Sequence, residues 1–392
     1  MDGADPAAVI IVGGGPVGAA TALGLARRGV PVRLLEARPS LRADDRRTLA
    51  LAQGSRQLLD ELGAWPTAEV TTIDQIHISQ RHRFGQTVLT ARESGMPALG
   101  YILRYNTLMA CLDEQVRRTE GLSLETGAEV SAVFPGSGEA EVVWQAQGRE
   151  WRARTPLAVL ADGGRALTAQ VFGAAREQPY TQVALVAQLE TDRPVGSLAY
   201  ERFTPEGPIA LLPLGQRYTL VWTGTQAQTE LRLGWPEERF LSELQAAFGG
   251  RAGNFLQVHG RSWFPLTLKV LDCVIRPHGV AIGNAAQTMH PVAGQGLNMG
   301  LRDADQLIRL VGEGGLDVLG SAAQLERFVA LRQRDRNWGI GFTHSLVRLF
   351  SNDWPILAQG RGLGLAVLNG LPGMRRALTR VMSFGFQGGM RG

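Results

Sequence analysis

The hydrophobic positions of this chain change period along its length, and each change marks an element. Val9-Ile10-Ile11-Val12 is an unbroken run of β-branched residues, the pattern of a strand covered on both faces. Residues 16–28 carry small and apolar side chains at helical spacing, and Gly29 is placed to stop that helix. Residues 32–35 read as a second strand, closed by Glu36. Residues 48–62 carry Leu51, Leu58, Leu59 and Leu62 at helical spacing, which predicts a helix ending at Gly63. Over 70–89 the period shortens to two, as in IDQIHISQ, the pattern of a sheet with one wet face. Tyr101 to Arg104 leads into a helix over 106–118, with Asn106 as its N-cap. Residues 122–126, 129–134 and 141–145 read as strands, the last two joined by a turn at Gly136-Ser137-Gly138.

The second half repeats these themes. Residues 157–160 are a buried strand ending in Ala161-Asp162-Gly163-Gly164. Residues 180–268 alternate apolar and polar positions and are richer in aromatics. They predict strands over 183–189, 198–203, 209–212, 218–222 and 261–264, with a helix over 236–248. This block reads as a separate antiparallel layer, a wall for an apolar substrate. The strand 280–282 ends at Gly283-Asn284. A loop holding His290-Pro291 and Gly294-Gln295-Gly296 then feeds a helix that starts near Leu297, with Asn298 in its first turn. Residues 324–350 are helical and amphipathic. The tail 354–386 mixes apolar residues with Arg361, Arg375, Arg376 and Arg380, and reads either as a basic element lying on a membrane or as a helical cap on the body.

Composition narrows the class. With 392 residues, 44% of them hydrophobic and 19% charged, the chain suits a soluble globular protein of two domains or one large one. The net charge of +4 is carried by scattered arginines, Lys269 being the single lysine, so nucleic-acid binding is not read from it. Cys111 and Cys273 form no C-x-x-C motif and fit a reducing cytosol, and the six histidines show no metal-ligand spacing. The acidic start MDGADPAA lacks the basic region of a signal peptide, and five glycines and a proline within 9–26 argue against a membrane span.

Candidate chemistry sits at three places. Gly13, Gly15 and Gly18 supply G-x-G-x-x-G between a strand and a helix, the arrangement that seats a dinucleotide pyrophosphate on a helix N-terminus. Glu36, at the end of the next strand, is spaced to bind a ribose hydroxyl and would repel a 2′-phosphate, which favours FAD or NAD over NADP there. Asp162, followed by two glycines, stands where open α/β sheets bind ligands, although a plain Asp-Gly turn has the same sequence. The Gly294–Gly296 loop feeds a second anion-favouring helix terminus. Arg46 and Arg47 read either as a solvated loop or as cations reaching a cofactor, and His290 alone reads more readily as a loop residue than as a base.

Together these sites resemble the flavin-dependent aromatic hydroxylases of the para-hydroxybenzoate hydroxylase type, and within them the ubiquinone-biosynthesis subgroup. The glycine motif with Glu36, the Ala161-Asp162-Gly163 motif, the string GNAAQTMHPVAGQGLNMGLRD and the string ERFTPEGPIALLPL carry the resemblance over nearly the whole chain. The expected fold is α/β. A Rossmann-like FAD-binding domain would cover 1–75, 100–179 and 269–330, an interleaved antiparallel β-sheet substrate domain 76–99 and 180–268, and a helical C-terminal segment 331–392. By position, the resemblance implies FAD on Gly13, Gly15, Gly18, Glu36 and Arg38, with Arg47 and Arg104 near the cofactor. It implies Asp162, Gly283 and Asn284 near its pyrophosphate and ribose, and Gly294, Gln295, Gly296 and Asn298 at the flavin ring. His290 and Pro291 would face the substrate, and Arg217 would touch the flavin. Three positions depart from the family pattern: Asn284 replaces an acid, Gln287 a histidine and Ala166 a serine. The implied reaction is hydroxylation of a lipophilic phenolic ring by FAD, O2 and a transiently bound NADPH or NADH. The implied setting is cytoplasmic, with peripheral contact on the inner membrane and with ubiquinone-biosynthesis proteins, and without nucleic acid. A flavin oxidoreductase of the same fold that does not hydroxylate, or a non-catalytic scaffold, are the alternatives.

Overall fold

The computed structural model describes residues 7–42, 44–81, 85–289, 295–350, 364 and 367–385, without the side chains of 179–181 and 342–350. The opening β-branched run forms β1 (Val9–Val12), buried along its whole length. Helix α1 (Pro16–Ala26) and strand β2 (Val32–Glu36) follow, with proline in the first turn of α1, where its missing N–H costs nothing. Next come β3 (Thr48–Leu51), α2 (Gln53–Glu61), β4 (Thr71–Ile73), β5 (Gln75–Gln80), β6 (Gln86–Thr90) and α3 (Ala91–Ser94). Strand β7 (Gly100–Arg104) and helix α4 (Tyr105–Arg118) lead to β8 (Leu122–Thr126), β9 (Glu129–Phe134), β10 (Ala140–Ala146), β11 (Arg149–Thr155), β12 (Leu157–Leu160) and α5 (Ala166–Phe172). The β-rich block holds β13 (Arg176–Thr191), β14 (Leu198–Thr204), β15 (Gly207–Leu214), β16 (Arg217–Thr225), α6 (Gln226–Gly234), α7 (Glu237–Phe248) and β17 (Phe255–Val270). The chain returns through β18 (Ile275–Arg276), β19 (Gly279–Ala281) and β20 (Gln287–Thr288) to α8 (Gln295–Gly314), α9 (Ala322–Phe350) and α10 (Pro372–Phe384).

The first sheet has the order β18-β19-β12-β1-β2-β8 and is parallel except for the β18–β19 pair. Both faces are covered at its centre, which explains why β1 and β12 read as unbroken apolar runs. Helices α1, α4 and α8 cover one face, with Leu23, Leu108, Leu307 and Ile308 in one core with Ile11 and Val159. The α1–α8 contact is close because Gly24 leaves room: a Cβ there would lie 2.3 Å from Ile308. The meander β9-β10-β11 covers the other face with Val133, Val142 and the fully buried Trp144.

Two local expectations are corrected. Residues 48–62 are not one helix, since Thr48–Leu51 is a strand pairing with β7 and the helix begins only at Gln53. Leu51 belongs to the inward side of that strand, while Leu58, Leu59 and Leu62 pack from α2 and its end. Helix α4 begins at Tyr105 after extended Arg104, so Asn106 lies inside its first turn and accepts only from the adjacent Thr107 N–H.

The third layer is an eight-stranded sheet, β20-β17-β13-β16-β15-β14-β5-β6. It is antiparallel apart from β14, which runs parallel to β5. One face packs on α7 through Leu185, Leu211, Trp222, Phe240 and Leu244. The opposite face turns toward the small sheet β3-β7-β4 and α10, where Ile102, Ala199 and Phe384 meet. A hydrogen bond of 2.8 Å between the Thr48 and Thr219 hydroxyls joins β3 to β16 across that boundary. Among the described residues no helix is long and apolar enough to cross a membrane.

Candidate functional site

The carboxyl ends of β2, β1, β12 and β19 stand side by side in the first sheet, so four loops far apart in sequence line one edge. Three strand spacings make that edge roughly 14 Å long. After β1, Gly13 has φ +102 and its N–H donates to Leu35 O at 2.8 Å, closing the turn. A Cβ at Gly13 would meet Ala161 O at 2.6 Å, and one at Gly18 would meet Gly13 O at 1.9 Å. Gly15 is different. Its φ of −67 suits any residue, and a Cβ there would meet nothing within 4 Å. The protein itself therefore does not require glycine at 15, and the open space lies at the N-terminus of α1, which no side chain caps.

Glu36 closes this turn from the β2 side. It is buried and accepts from Gly14 N–H at 2.7 Å, from Arg38 N–H at 2.9 Å and from the Arg38 guanidinium at 2.9 and 3.2 Å. Burial alone would raise its pKa, but these donors outweigh it and hold the carboxyl below its ordinary value. Glu36 is thus ionised and aimed at the glycine turn, with Arg38 on its accessible side.

At the end of β12, Asp162 accepts from Gly164 N–H at 3.0 Å and from the Thr168 hydroxyl at 2.5 Å, both through Oδ1, while its buried Oδ2 has no partner. Gly164, at φ +78, would bring a Cβ within 2.7 Å of Asn284 O, so the turns after β12 and β19 touch. Gly283, at φ +61, donates its N–H to Asp303 Oδ2 at 3.1 Å, and Gln287 donates to the same oxygen at 2.8 Å. Gln287, at the position of the family histidine, therefore ties the turn to α8, and Asn284 is exposed beside it. Asp303 also pairs with Arg332 at 2.7 Å, and Arg332 and Arg302 both pair with Asp335. Burial raises the pKa of Asp335, but the two guanidiniums outweigh it and the net shift is downward.

The first turn of α8 is anchored from the outset. Asn298 accepts from Ala52 N–H and from the Ser55 hydroxyl, both at 2.7 Å, and donates to Ala50 O at 2.9 Å. Its side chain serves the β3–α2 junction, so what it offers a ligand is backbone. Gln295 is buried with Oε1 unpartnered, and a Cβ at Gly296 would meet open space. His290, Pro291 and Gly294 lie outside the described residues. Arg47 pairs with Asp45 at 2.9 Å and stacks over the Tyr105 ring, while Arg104 is half-buried at the end of β7. Arg217, expected at the flavin, gives its guanidinium to Glu190 at 2.6 Å.

Residues 6–314 match the family described as FAD binding domain. Ubiquinone hydroxylase UbiL of Rhodospirillum rubrum is 33% identical, over 95% of this chain and 88% of its own length. The chain belongs to the FAD-dependent hydroxylases. Within that family it falls in the ubiquinone-biosynthesis subgroup, as the motifs at the two glycine loops imply; 3-demethoxyubiquinol 3-hydroxylase of Escherichia coli is 29% identical over 92% of this chain and 94% of its own. The solved structure of p-nitrophenol 4-monooxygenase PnpA from Pseudomonas putida DLL-E4 shares the fold with a TM-score of 0.79 at 16% identity, over 96% of this chain and 97% of that one.

In this FAD-dependent hydroxylase the edge described above fits the cofactor. The space at Gly15, the uncapped α1 terminus, the orphan Oδ2 of Asp162 and the carboxylate of Glu36 form a continuous run of donors and acceptors. Sequence reasoning missed Asp303, Arg332 and Ser55, which hold the second glycine region in place. Asp303 lies within the quoted motif, but its partner Arg332 is 29 residues away, and only the packing of α8 on α9 joins them.

Proposed function

We propose that this protein hydroxylates the phenolic ring of a polyprenyl methoxyphenol intermediate of ubiquinone biosynthesis, using NADPH or NADH and O2. When bound, FAD supplies electron transfer from the nicotinamide and activation of O2. The observation that carries this reading is the four-loop edge with open space at Gly15, in a chain similar to ubiquinone hydroxylases over nearly its full length.

The protein's own residues bind, orient and seclude. The N–H groups at the start of α1 would hold the pyrophosphate of FAD, and those at the start of α8 would favour negative charge on its ring. The FAD-side face of the eight-stranded sheet, with Ile76, Ile78, Ala199 and Leu212, is the substrate wall in this reading, and it keeps water from the reacting atoms. The substrate's prenyl tail implies withdrawal from a lipid surface, so the enzyme works at the cytoplasmic side of the inner membrane. Val367, Leu371 and Met374 are exposed, with Arg376 and Arg380 close in sequence, a composition suited to an anionic bilayer.

The test is direct. The purified protein should be yellow, and a short-chain methoxyphenol should quicken NAD(P)H oxidation while one atom of labelled O2 enters the product. A yellow protein that consumes NAD(P)H but oxygenates no phenol would overturn the hydroxylase reading.

A further inference from the structure

Strand β14 alternates its side chains across the eight-stranded sheet. Tyr200 packs among Leu211, Tyr218 and Phe248 on the α7 face. Ala199 lies on the other face, toward β3 and β7. Glu201, two positions on from Ala199, shares its face. The register sets Glu201 beside Ile78 of β5 on one side and Ala210 of β15 on the other. Farther along this face, Thr219 bonds Thr48 of β3. Residues Ala50 and Ala52, just beyond Thr48, hold Asn298 in the first turn of α8. Glu201 therefore stands on the wall that faces β3 and, through it, the first turn of α8, with Ile78 and Ala199 as apolar neighbours.

Its carboxyl, on a half-buried residue, differs from those of the fully buried acids. Glu36, Asp113, Asp303 and Asp335 are each held by at least one arginine. Glu201 has no cation or hydrogen-bond donor among the described residues, and burial by itself pushes its pKa up to about 7. Most charges around this sheet are committed elsewhere. Arg217 and His259 share Glu190, Arg81 pairs with Glu206, Arg375 pairs with Glu93, and Arg202 bonds Ser79 and Ala247 O on the α7 face. Arg104 at the end of β7 is the exception and makes no ion pair among the described residues, with Glu201 or with another acid. A carboxyl held apolar and unpaired costs folding stability, a cost that a structural role does not explain.

We propose that Glu201 is the general base that takes the phenolic proton of the substrate as the ring is hydroxylated. This role rests on the hydroxylase reading above. The phenol O–H bond breaks, its electron pair stays on oxygen, and the proton bonds to a Glu201 oxygen. The ring, now electron-rich, accepts the oxygen that O2 and NAD(P)H supply in that reaction. The displaced ring hydrogen leaves as a proton, and Glu201 returns its own proton to the phenolate. A free phenol ionises near pH ~10, so at neutral pH it needs such a partner, and a base poised near the working pH is effective.

The test uses the full-length FAD-loaded enzyme and a short-chain methoxyphenol. Glu201→Gln should keep its flavin and its rate of flavin reduction within about twofold, because it removes only a proton acceptor. Hydroxylation should fall by about 100-fold or more, with NAD(P)H consumption diverted to hydrogen peroxide. The acid limb of the wild-type kcat profile, centred near the group's pKa of about 7, should vanish in the variant. Glu201→Asp should recover part of the rate. At pH ~8 the bound phenol should absorb as phenolate in the wild type and as neutral phenol in Glu201→Gln. Equal hydroxylation, an unchanged acid limb or equal phenolate absorption in Glu201→Gln would remove this role while leaving the hydroxylase intact. A wild type that oxygenates no phenol would instead remove the hydroxylase reading, and this role with it.

Discussion

Gly15 and Gly18 are three positions apart and answer to different constraints. Gly18 has the backbone of Gly13 where a Cβ would be, at 1.9 Å, whereas Gly15 faces open space with an ordinary φ. Gly18→Ala should cost about 3 kcal/mol of stability or leave no folded protein, since backbone cannot move aside cheaply. Gly15→Ala should change the melting of the apoprotein by under ~0.5 kcal/mol, yet weaken FAD at least about tenfold in a fluorescence titration. Equal loss of FAD and fold in both variants would contradict the division. Glu201 provides a second test at this scale. Its folded pKa of about 7 lies above the ordinary 4.5, so the folded state binds the proton more tightly. Its contribution to stability is full below 4.5, is lost as pH rises toward about 7, and stays lost above that. Glu201→Gln should therefore melt higher than wild type at pH ~8 and level with it at pH ~4. A Tm difference that does not vary with pH would show that the carboxyl is solvated.

At the scale of elements, α8 is the member whose placement matters most. Its first turn is tied to β3 and α2 by the three bonds of Asn298, and its middle to α9 by Asp303 and Arg332. Asn298→Ala strands the Ala52 N–H and the Ser55 hydroxyl and should cost about 2–3 kcal/mol. The loss should shrink on adding FAD if the cofactor orders the same turn, which melting curves with and without flavin would show. The splitting of residues 48–62 into β3 and α2 belongs to this scale too. Leucines at 51, 58, 59 and 62 fit a helical period, but the backbone of 48–51 finds its partners on β7, some fifty residues later. Long-range pairing of this kind leaves no trace in local spacing. The strands β1 and β12 were legible because the centre of a sheet covered on both faces imposes an apolar run that needs no knowledge of the neighbours.

For the whole molecule, four sheets among the described residues and the helices between them set one cofactor edge against one apolar wall, to which a lipid substrate must be delivered. Replacing Val367, Leu371 and Met374 by serine should lower flotation with anionic liposomes several-fold. It should leave the turnover of a short-chain phenol unchanged, because these side chains are exposed and lie outside the cores. Unchanged flotation would refute the membrane reading. The sequence alone determined the βαβ unit, the cofactor type and the family. Those depend on short-range requirements, namely a tight glycine turn, a helix terminus and an acid one strand away, and such requirements are written in consecutive residues. Tertiary structure alone decided which of those residues remain free to act. It tied the Asn298 side chain to protein partners, paired Arg217 with Glu190 at the surface, left Gly15 and Asp162 Oδ2 open, and set Glu201 unpaired on the wall opposite. The reason is physical. Whether a donor or a charge is satisfied depends on atoms brought from distant parts of the chain, and pairing or desolvation there, not residue type, fixes what the group can do.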